Sequence, residues 1–152
     1  MINKEYIIGL VDGEGSFNIQ INTNNRRRAK IDLRFSLKLR YQDKEILDEL
    51  KKFFKCGNVY IQRDKRKNHS LCYRFEVCDK KDIIEKIIPF FIENQPKIPS
   101  RMRDFEIFKQ IAELSQQDSL DLEKIKFLKN QMHWGLAVYG KTVRAVGTLS
   151  SS

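Results

Sequence analysis

Residues 31–40 alternate without a break: Ile31, Leu33, Phe35, Leu37 and Leu39 are apolar, and Asp32, Arg34, Ser36, Lys38 and Arg40 are polar. A period of two puts successive side chains on opposite faces, which suits a half-buried strand and not a helix. A shorter run precedes it, with Phe17, Ile19 and Ile21 set against Ser16, Asn18, Gln20 and Asn22, and a polar turn at 23–28 between the two. Together they predict a long antiparallel hairpin with one apolar face and one face of amides and cations.

The flanking segments change period. Residues 3–13 read as a helix, apolar on most sides through Tyr6, Ile7, Ile8, Leu10 and Val11, and stopped by the glycines of Asp12-Gly13-Glu14-Gly15. Residues 43–55 read as a second helix, with Ile46, Leu47, Leu50, Phe53 and Phe54 at helical spacing, Asp43 as its cap and Gly57 at its end. A second hairpin follows, with Val59 and Ile61 inward, Tyr60 and Gln62 outward, a basic turn at 63–69, and Tyr73, Phe75 and Val77 inward against Arg74 and Glu76. Helices are predicted over 80–92, 100–114 and 119–134, with Pro96 and Pro99 breaking the chain between the first two; the tail from Gly135 is weakly patterned. The order is αββαββα with extra C-terminal helices, an α+β domain whose antiparallel sheet has helices on one face. No linker marks a second domain, so residues 1–152 are read as one.

Charge narrows the class of partner. The chain holds 29 Lys and Arg against 20 Asp and Glu, net +9. The excess is local: residues 16–40 carry seven basic residues against Asp32, and residues 60–74 carry five against Asp64. Such enrichment points to a polyanion. No apolar run is long enough to span a bilayer, and the first residues have no signal-peptide pattern, so no membrane partner is expected. The spacings of Cys56, His69, Cys72 and Cys78 match no familiar zinc module. Reduced thiols in an intracellular, reducing compartment are expected, with organelle and prokaryotic cytoplasm not distinguished.

The outward sheet face carries Asn18, Gln20, Asn22, Arg34, Ser36, Lys38, Arg40, Tyr60, Gln62 and Arg74. Arg and Lys suit guanine edges, Asn and Gln suit adenine, and a two-stranded ribbon fits the major groove. Any solvated sheet face is polar; the scarcity of acids and the basic hairpin tips favour duplex DNA. Arg26, Arg27 and Arg28 at one tip and Arg63, Arg66 and Lys67 at the other are expected on phosphates. Tyr60 alone is an outward aromatic, against the several that single-stranded RNA sheets use for stacking.

Asp12 and Glu14 lie where a helix ends in unpaired carbonyls, an already electronegative place. A hard divalent cation would resolve the conflict, although from these four residues alone a plain Asp-Gly turn is the stronger reading. Gly9 and Gly13 stand four apart, a spacing that lets a second helix approach closely; Gly9 is otherwise merely tolerated. A copy of the same helix would bring two Glu14 carboxylates together.

Ile7-Ile8-Gly9-Leu10-Val11-Asp12-Gly13-Glu14-Gly15 resembles the motif of LAGLIDADG homing endonucleases, and the αββαββα order matches that family. The family has single-chain members with two motifs and dimeric members with one; a single motif in 152 residues resembles the homodimeric kind. The resemblance implies recognition of a long, partly palindromic duplex and metal-dependent cleavage of both strands, with Mg²⁺ as cofactor, Mn²⁺ as the alternative and no small-molecule cofactor. It implies Glu14 as metal ligand, with the Gly13 carbonyl beside it, and Ile8, Gly9, Asp12 and Gly13 in the dimer interface. Gln42 resembles the water-positioning glutamine, Lys97 the basic residue near the scissile phosphate with Arg101 as its substitute, and Lys44 an assisting cation. Lys141 and Thr142 resemble a phosphate-contacting stretch. An intron maturase on the same fold and a non-catalytic DNA-binding regulator are the competing expectations; the acid at position 14 favours cleavage.

Overall fold

The computed structural model describes residues 1–23, 30–63 and 71–133. The elements run α1 (Lys4–Glu14), β1 (Gly15–Asn22), β2 (Lys30–Arg40), a 3₁₀ turn (Tyr41–Asp43), α2 (Lys44–Phe54), β3 (Asn58–Gln62), β4 (Cys72–Val77), α3 (Lys80–Asp82), a π-helical turn (Ile83–Ile87), α4 (Ile88–Glu93), α5 (Pro99–Ser115) and α6 (Leu122–Gln131). The strands form one antiparallel sheet in the order β1-β2-β4-β3. The register places Asn18 opposite Arg34, Gln20 opposite Asp32, and Lys38 opposite Arg74.

The apolar face of the sheet carries the core. Phe17 and Phe35 project from it and meet Phe91 and Phe105 from the covering helices, with Phe17 ring centroids 5.2 Å from Phe35, 5.4 Å from Phe91 and Phe105, and 5.3 Å from Phe108. These rings are fully buried. Their area and their edge-to-face and offset contacts make this layer the main stabilising mass of the fold.

Several local expectations change. The first helix does not stop at Gly13 but continues through Glu14, and Gly15 opens β1 in extended conformation. Gly15 is needed for closeness: a Cβ there would lie 2.7 Å from the Val11 carbonyl oxygen and 2.7 Å from its Cγ1. Helix α1 is also less enclosed than its apolar sequence suggests. Ile7 and Val11 are buried, whereas Tyr6 is 48% exposed and Gly9 and Gly13 are open.

Asp43 makes no side-chain cap to α2; the 3₁₀ turn delivers the chain into that helix instead. Lys55 ends α2 in the left-handed region at φ 56, and Gly57 follows at φ +85, where a Cβ would also strike the Phe75 ring at 2.6 Å. Pro89 has no N–H to donate back along its helix, and the preceding turn widens to π geometry, with Ile88 N–H on the Ile83 carbonyl. Ile61, expected inward, is 43% exposed, because β3 is the outer strand and its cover is incomplete.

Candidate nucleic-acid interface and helix-end acid site

The polar face of the sheet follows from the two-residue period. Asn18, Gln20, Asn22, Arg40, Tyr60 and Arg63 are exposed, and Arg34, Lys38, Gln62 and Arg74 are half-buried. Asn18, Gln20, Asp32 and Arg34 line a groove of about 260 Å³ across β1 and β2. Ser36 does not fit its expected part. It is 4% exposed, seated between Ser16 and Glu76 in the register, so its hydroxyl is covered by its neighbours. Arg26, Arg27, Arg28, Arg66, Lys67, Lys141 and Thr142 lie outside the described residues.

Sequence reasoning gave the acids on this face no part. Glu76 sits on the polar face of β4 and gathers its neighbours: Tyr60 Oη donates to it at 2.9 Å and Cys78 Sγ at 3.0 Å, while Arg34 Nε and Arg74 Nη1 each lie 3.7 Å away. Arg74 Nε also donates to Gln62 Oε1 at 2.7 Å. Burial works to raise the Glu76 pKa, but the Cys78 and Tyr60 hydrogen bonds and the two guanidiniums hold it below its ordinary value. Burial, then the bond to Glu76, pushes the Cys78 thiol up to about 11. Asn22 donates to Asp32, which also lies 3.5 Å from Lys30. The alternation of β4 already put Glu76 beside Arg74 on the outer face; what a linear reading lacked was the cross-strand register that brings Arg34 and Tyr60 to it.

At the end of α1 the structure joins residues far apart in sequence. The Asp12 carboxylate accepts the backbone N–H of Lys97, at 2.9 and 3.1 Å, and that of Ile98 at 3.1 Å. These amides precede α5, whose own N-cap residue, Ile98, offers no side-chain oxygen. Asp12 therefore caps α5 from the end of α1. Arg101 Nη2 donates to the Asp12 carbonyl at 3.5 Å, so a cation of the chain itself meets the electronegative end of α1. Arg101 Nε is buried without a hydrogen-bond partner among the described residues.

Glu14 and Gly13 are exposed beside this junction, as is the side chain of Lys97. Gln42 follows β2 at the end of the sheet where α1 passes into β1, since Gly15 pairs with Leu37. Lys44 is drawn elsewhere: its Nζ lies 2.7 Å from Asp48 and over the Tyr73 ring, and the Asp48 hydrogen bond raises its pKa.

Among the described residues no three His, Cys, Asp or Glu gather as a metal cage. The donors on offer are the Glu14 carboxylate and the Gly13 carbonyl, hard oxygens of the kind Mg²⁺ takes one or two at a time, with water and substrate phosphate completing the shell. The donor set fits such an ion when shared with DNA or a second chain.

Ile8 is half-buried, and a Cβ built at Gly9 or Gly13 meets nothing within 4 Å. Nothing within the described chain requires glycine at either place.

The family model for LAGLIDADG endonucleases matches residues 7–112. A probable intron-encoded DNA endonuclease 1 of Mycosarcoma maydis is 35% identical over 94 residues, covering 62% of this chain and 32% of its own. A probable intron-encoded endonuclease 2 of Neurospora crassa is 31% identical over 143 residues, covering 90% and 30%. This chain thus spans about a third of the length of these relatives. Among solved structures, the homing endonuclease I-TnaI aligns with TM-score 0.74 at 25% identity, covering 95% of this chain and 98% of its own. I-SmaMI bound to uncleaved DNA with calcium ions aligns with TM-score 0.76 at 26% identity, covering 90% and 47%. With its motif at the end of α1 and its strands in this order, the chain belongs to the LAGLIDADG endonuclease family.

Proposed function

We propose that residues 1–152 act as a single DNA-binding and cleavage domain, a site-specific, metal-dependent endonuclease of the intron-homing kind that works as a homodimer on duplex DNA. The observation that carries this reading is the placement of an exposed Glu14 at the end of α1, two residues after the Asp12 that holds Lys97 and Arg101, and directly before the first strand of a sheet whose outer face carries amides and guanidiniums.

The sheet face reads bases: Arg34, Lys38, Arg40 and Arg74 suit guanine, and Asn18, Gln20, Asn22 and Gln62 suit adenine. Glu76 holds Arg34 and Arg74 in place before DNA arrives, which lowers the ordering cost on binding. Ser36 serves the strand packing and not base contact. The basic tips, with Arg63 described and Arg26, Arg27, Arg28, Arg66, Lys67, Lys141 and Thr142 outside the described residues, would meet phosphates.

Two chains pair along the open side of α1, with Ile8, Gly9, Asp12 and Gly13 at the contact. The family, and the calcium ions in the related I-SmaMI complex, support a divalent ion; Mg²⁺, or Mn²⁺ in its place, suits Glu14 and the Gly13 carbonyl. Such an ion supplies an activated water and charge stabilisation at the phosphate. The chain's own residues do the rest. Asp12 fixes the backbone of Lys97, Lys97 presents its ammonium to the phosphate, Arg101 steadies the helix end, and Gln42 orders water. We place the chain in a reducing compartment, where Cys56, Cys72 and Cys78 stay as thiols. No helix of the described residues is long and apolar enough to cross a membrane.

Glu14→Gln tests the reading. It keeps the size of the side chain and removes the charge. Cleavage of a duplex selected by the protein should fall by more than about a hundredfold while binding persists, the scale seen when one group stabilising the transition state is lost. Undiminished cutting would remove Glu14 from its role. Sedimentation of the wild type should give twice 18.0 kDa; a monomer on DNA would remove the homodimer.

A further inference from the structure

Met132 caps the end of helix α6, and the next residue, His133, adopts φ 53. That left-handed position after a helix usually falls to Gly or Asn. A buried carboxylate holds His133 there by two bonds. Asp104 of α5, 5% exposed, accepts the His133 backbone N–H at 2.9 Å and lies 3.1 Å from ring Nδ1. The grip aims the other ring nitrogen at the sheet: Nε2 lies 3.3 Å from Asn18 Oδ1, and the Asn18 amide nitrogen lies 3.5 Å from Ser16 Oγ.

We propose that Asp104 and His133 are positioning residues for Asn18, and that the state of the imidazole selects which end of the Asn18 amide faces the DNA. This rests on the reading of Asn18 as a base-contacting residue. The chemistry follows from the two ring nitrogens. With Nδ1–H committed to Asp104, the neutral ring has only a lone pair at Nε2, and Asn18 must turn its NH₂ toward it. The amide oxygen then faces the groove, where it accepts from adenine N6 or cytosine N4. The protonated ring donates from Nε2 to the Asn18 oxygen. The NH₂ then faces the groove and seeks an acceptor such as purine N7, guanine O6 or thymine O4.

The charged groups that act on the ring lie on α5, and the neighbouring elements carry others. From α5, Asp104 favours the imidazolium and Arg101 opposes it. From β2, Arg34 stands opposite Asn18 in the register, while β1 itself presents the uncharged Asn18. Lys129 stands in the last turn of α6. The Asp104 hydrogen bond prevails, and the imidazole holds its proton above the ordinary value of 6.5.

The test uses the full chain and a duplex that it selects from a randomised library. Every single-base-pair variant of that duplex is then titrated in calcium buffer, the condition in which I-SmaMI was seen on uncleaved DNA, at about pH 6 and about pH 9, either side of the histidine range. Ratios between base pairs cancel the uniform attraction of phosphates to a charged histidine. The expected result is a shift in preference of about tenfold between the two pH values, confined to one base pair, from acceptor-presenting to donor-presenting bases. Asn18→Ala should erase discrimination at that base pair, His133→Gln should make it independent of pH, and Asp104→Asn should move the transition to lower pH. If Asn18→Ala alters preference nowhere, Asn18 reads no base and both readings fall. If Asn18→Ala erases discrimination at one base pair but the wild type discriminates there equally at both pH values, the coupling alone is overturned. The wild-type profile decides the matter even where His133→Gln does not fold.

Discussion

Asp12→Ala separates two roles that the motif's first acid could play. Within one chain, the carboxylate takes the N–H groups of Lys97 and Ile98 at 2.9–3.1 Å and so completes the start of α5. Pro99, the first residue of that helix, has no N–H, and Ile98 has no capping side chain. Removing the carboxylate leaves both amides to water and takes a negative charge from the positive end of a helix of 17 residues. Loss of a capping side chain costs about 0.5–2 kcal/mol. Loss of a charge at a helix N-terminus costs about 0.3–1 kcal/mol more. We expect about 1–3 kcal/mol in all, or a fall in Tm on the order of 3–10 °C for a chain of this size.

Asp12→Asn keeps an acceptor oxygen and loses only the charge, so it should recover more than half of the loss. The assay is thermal melting by circular dichroism at two protein concentrations well apart. If Asp12 acts mainly across a helix pair, the destabilisation grows on dilution, because the dimer is what it stabilises. If it acts as the cap, the loss is the same at both concentrations. A Tm within about 1 °C of wild type for Asp12→Ala, below what even the weakest cap contributes, would refute the capping argument. Cutting should fall further than stability does, since the same bonds hold Lys97.

Other perturbations follow from the same geometry. Gly15→Ala puts a methyl 2.7 Å from Val11 Cγ1 and from its carbonyl, so α1 and β1 must separate; a loss of at least about 1–3 kcal/mol in urea unfolding is expected. Phe17→Ala empties the middle of the aromatic layer and should cost about 3–5 kcal/mol by the same measurement. His133 has a folded pKa raised above its unfolded one, so its stabilising contribution is complete below pH about 6.5 and is lost as pH rises through the folded value. Asp104→Asn should flatten that part of the stability profile, read by melting across pH. Glu76 has the opposite sign: its contribution is present above the ordinary carboxylate range and is lost as pH falls through its lowered folded value, and Glu76→Gln should remove that acid-side slope.

Strand and helix identity was legible wherever one face is buried. The alternation of residues 31–40 set the β2 face correctly because Phe35 and Leu37 have only one core to enter. It did not give the exposure of Ile61, where the outer strand is incompletely covered, or the burial of Ser36, which lies on the outer face but is covered by its neighbours across the sheet. Helix ends were read less well. Asp43 has the right chemistry for a cap and makes none, whereas Asp12 caps a helix that begins some 85 residues later. Capping across the chain leaves no local signature, because its partner is fixed by tertiary packing. For the same reason Asp104, His133 and Asn18 could not be grouped in advance: they belong to three elements and meet only where the end of α6 reaches the β1 edge of the sheet.

The contacts of Asp12 change the charge that a cation at the end of α1 would meet. Sequence alone puts two acids against a row of free carbonyls. The fold takes one away, since Asp12 is occupied by the amides ahead of α5, and Arg101 donates to the carbonyl of that same residue. A single chain is therefore near electrostatic balance there and has little call for a metal of its own. What it leaves over is Glu14, exposed, with the open Gly9 and Gly13 face beside it. If a second copy docks on that face, two Glu14 carboxylates approach each other and a phosphate backbone together, and the repulsion grows with each. Divalent ions then bind because the assembly has formed. On this account metal affinity should be weak in the free chain and should rise steeply with DNA, which isothermal titration of Mn²⁺ into each would show; tight binding to the free chain would contradict it.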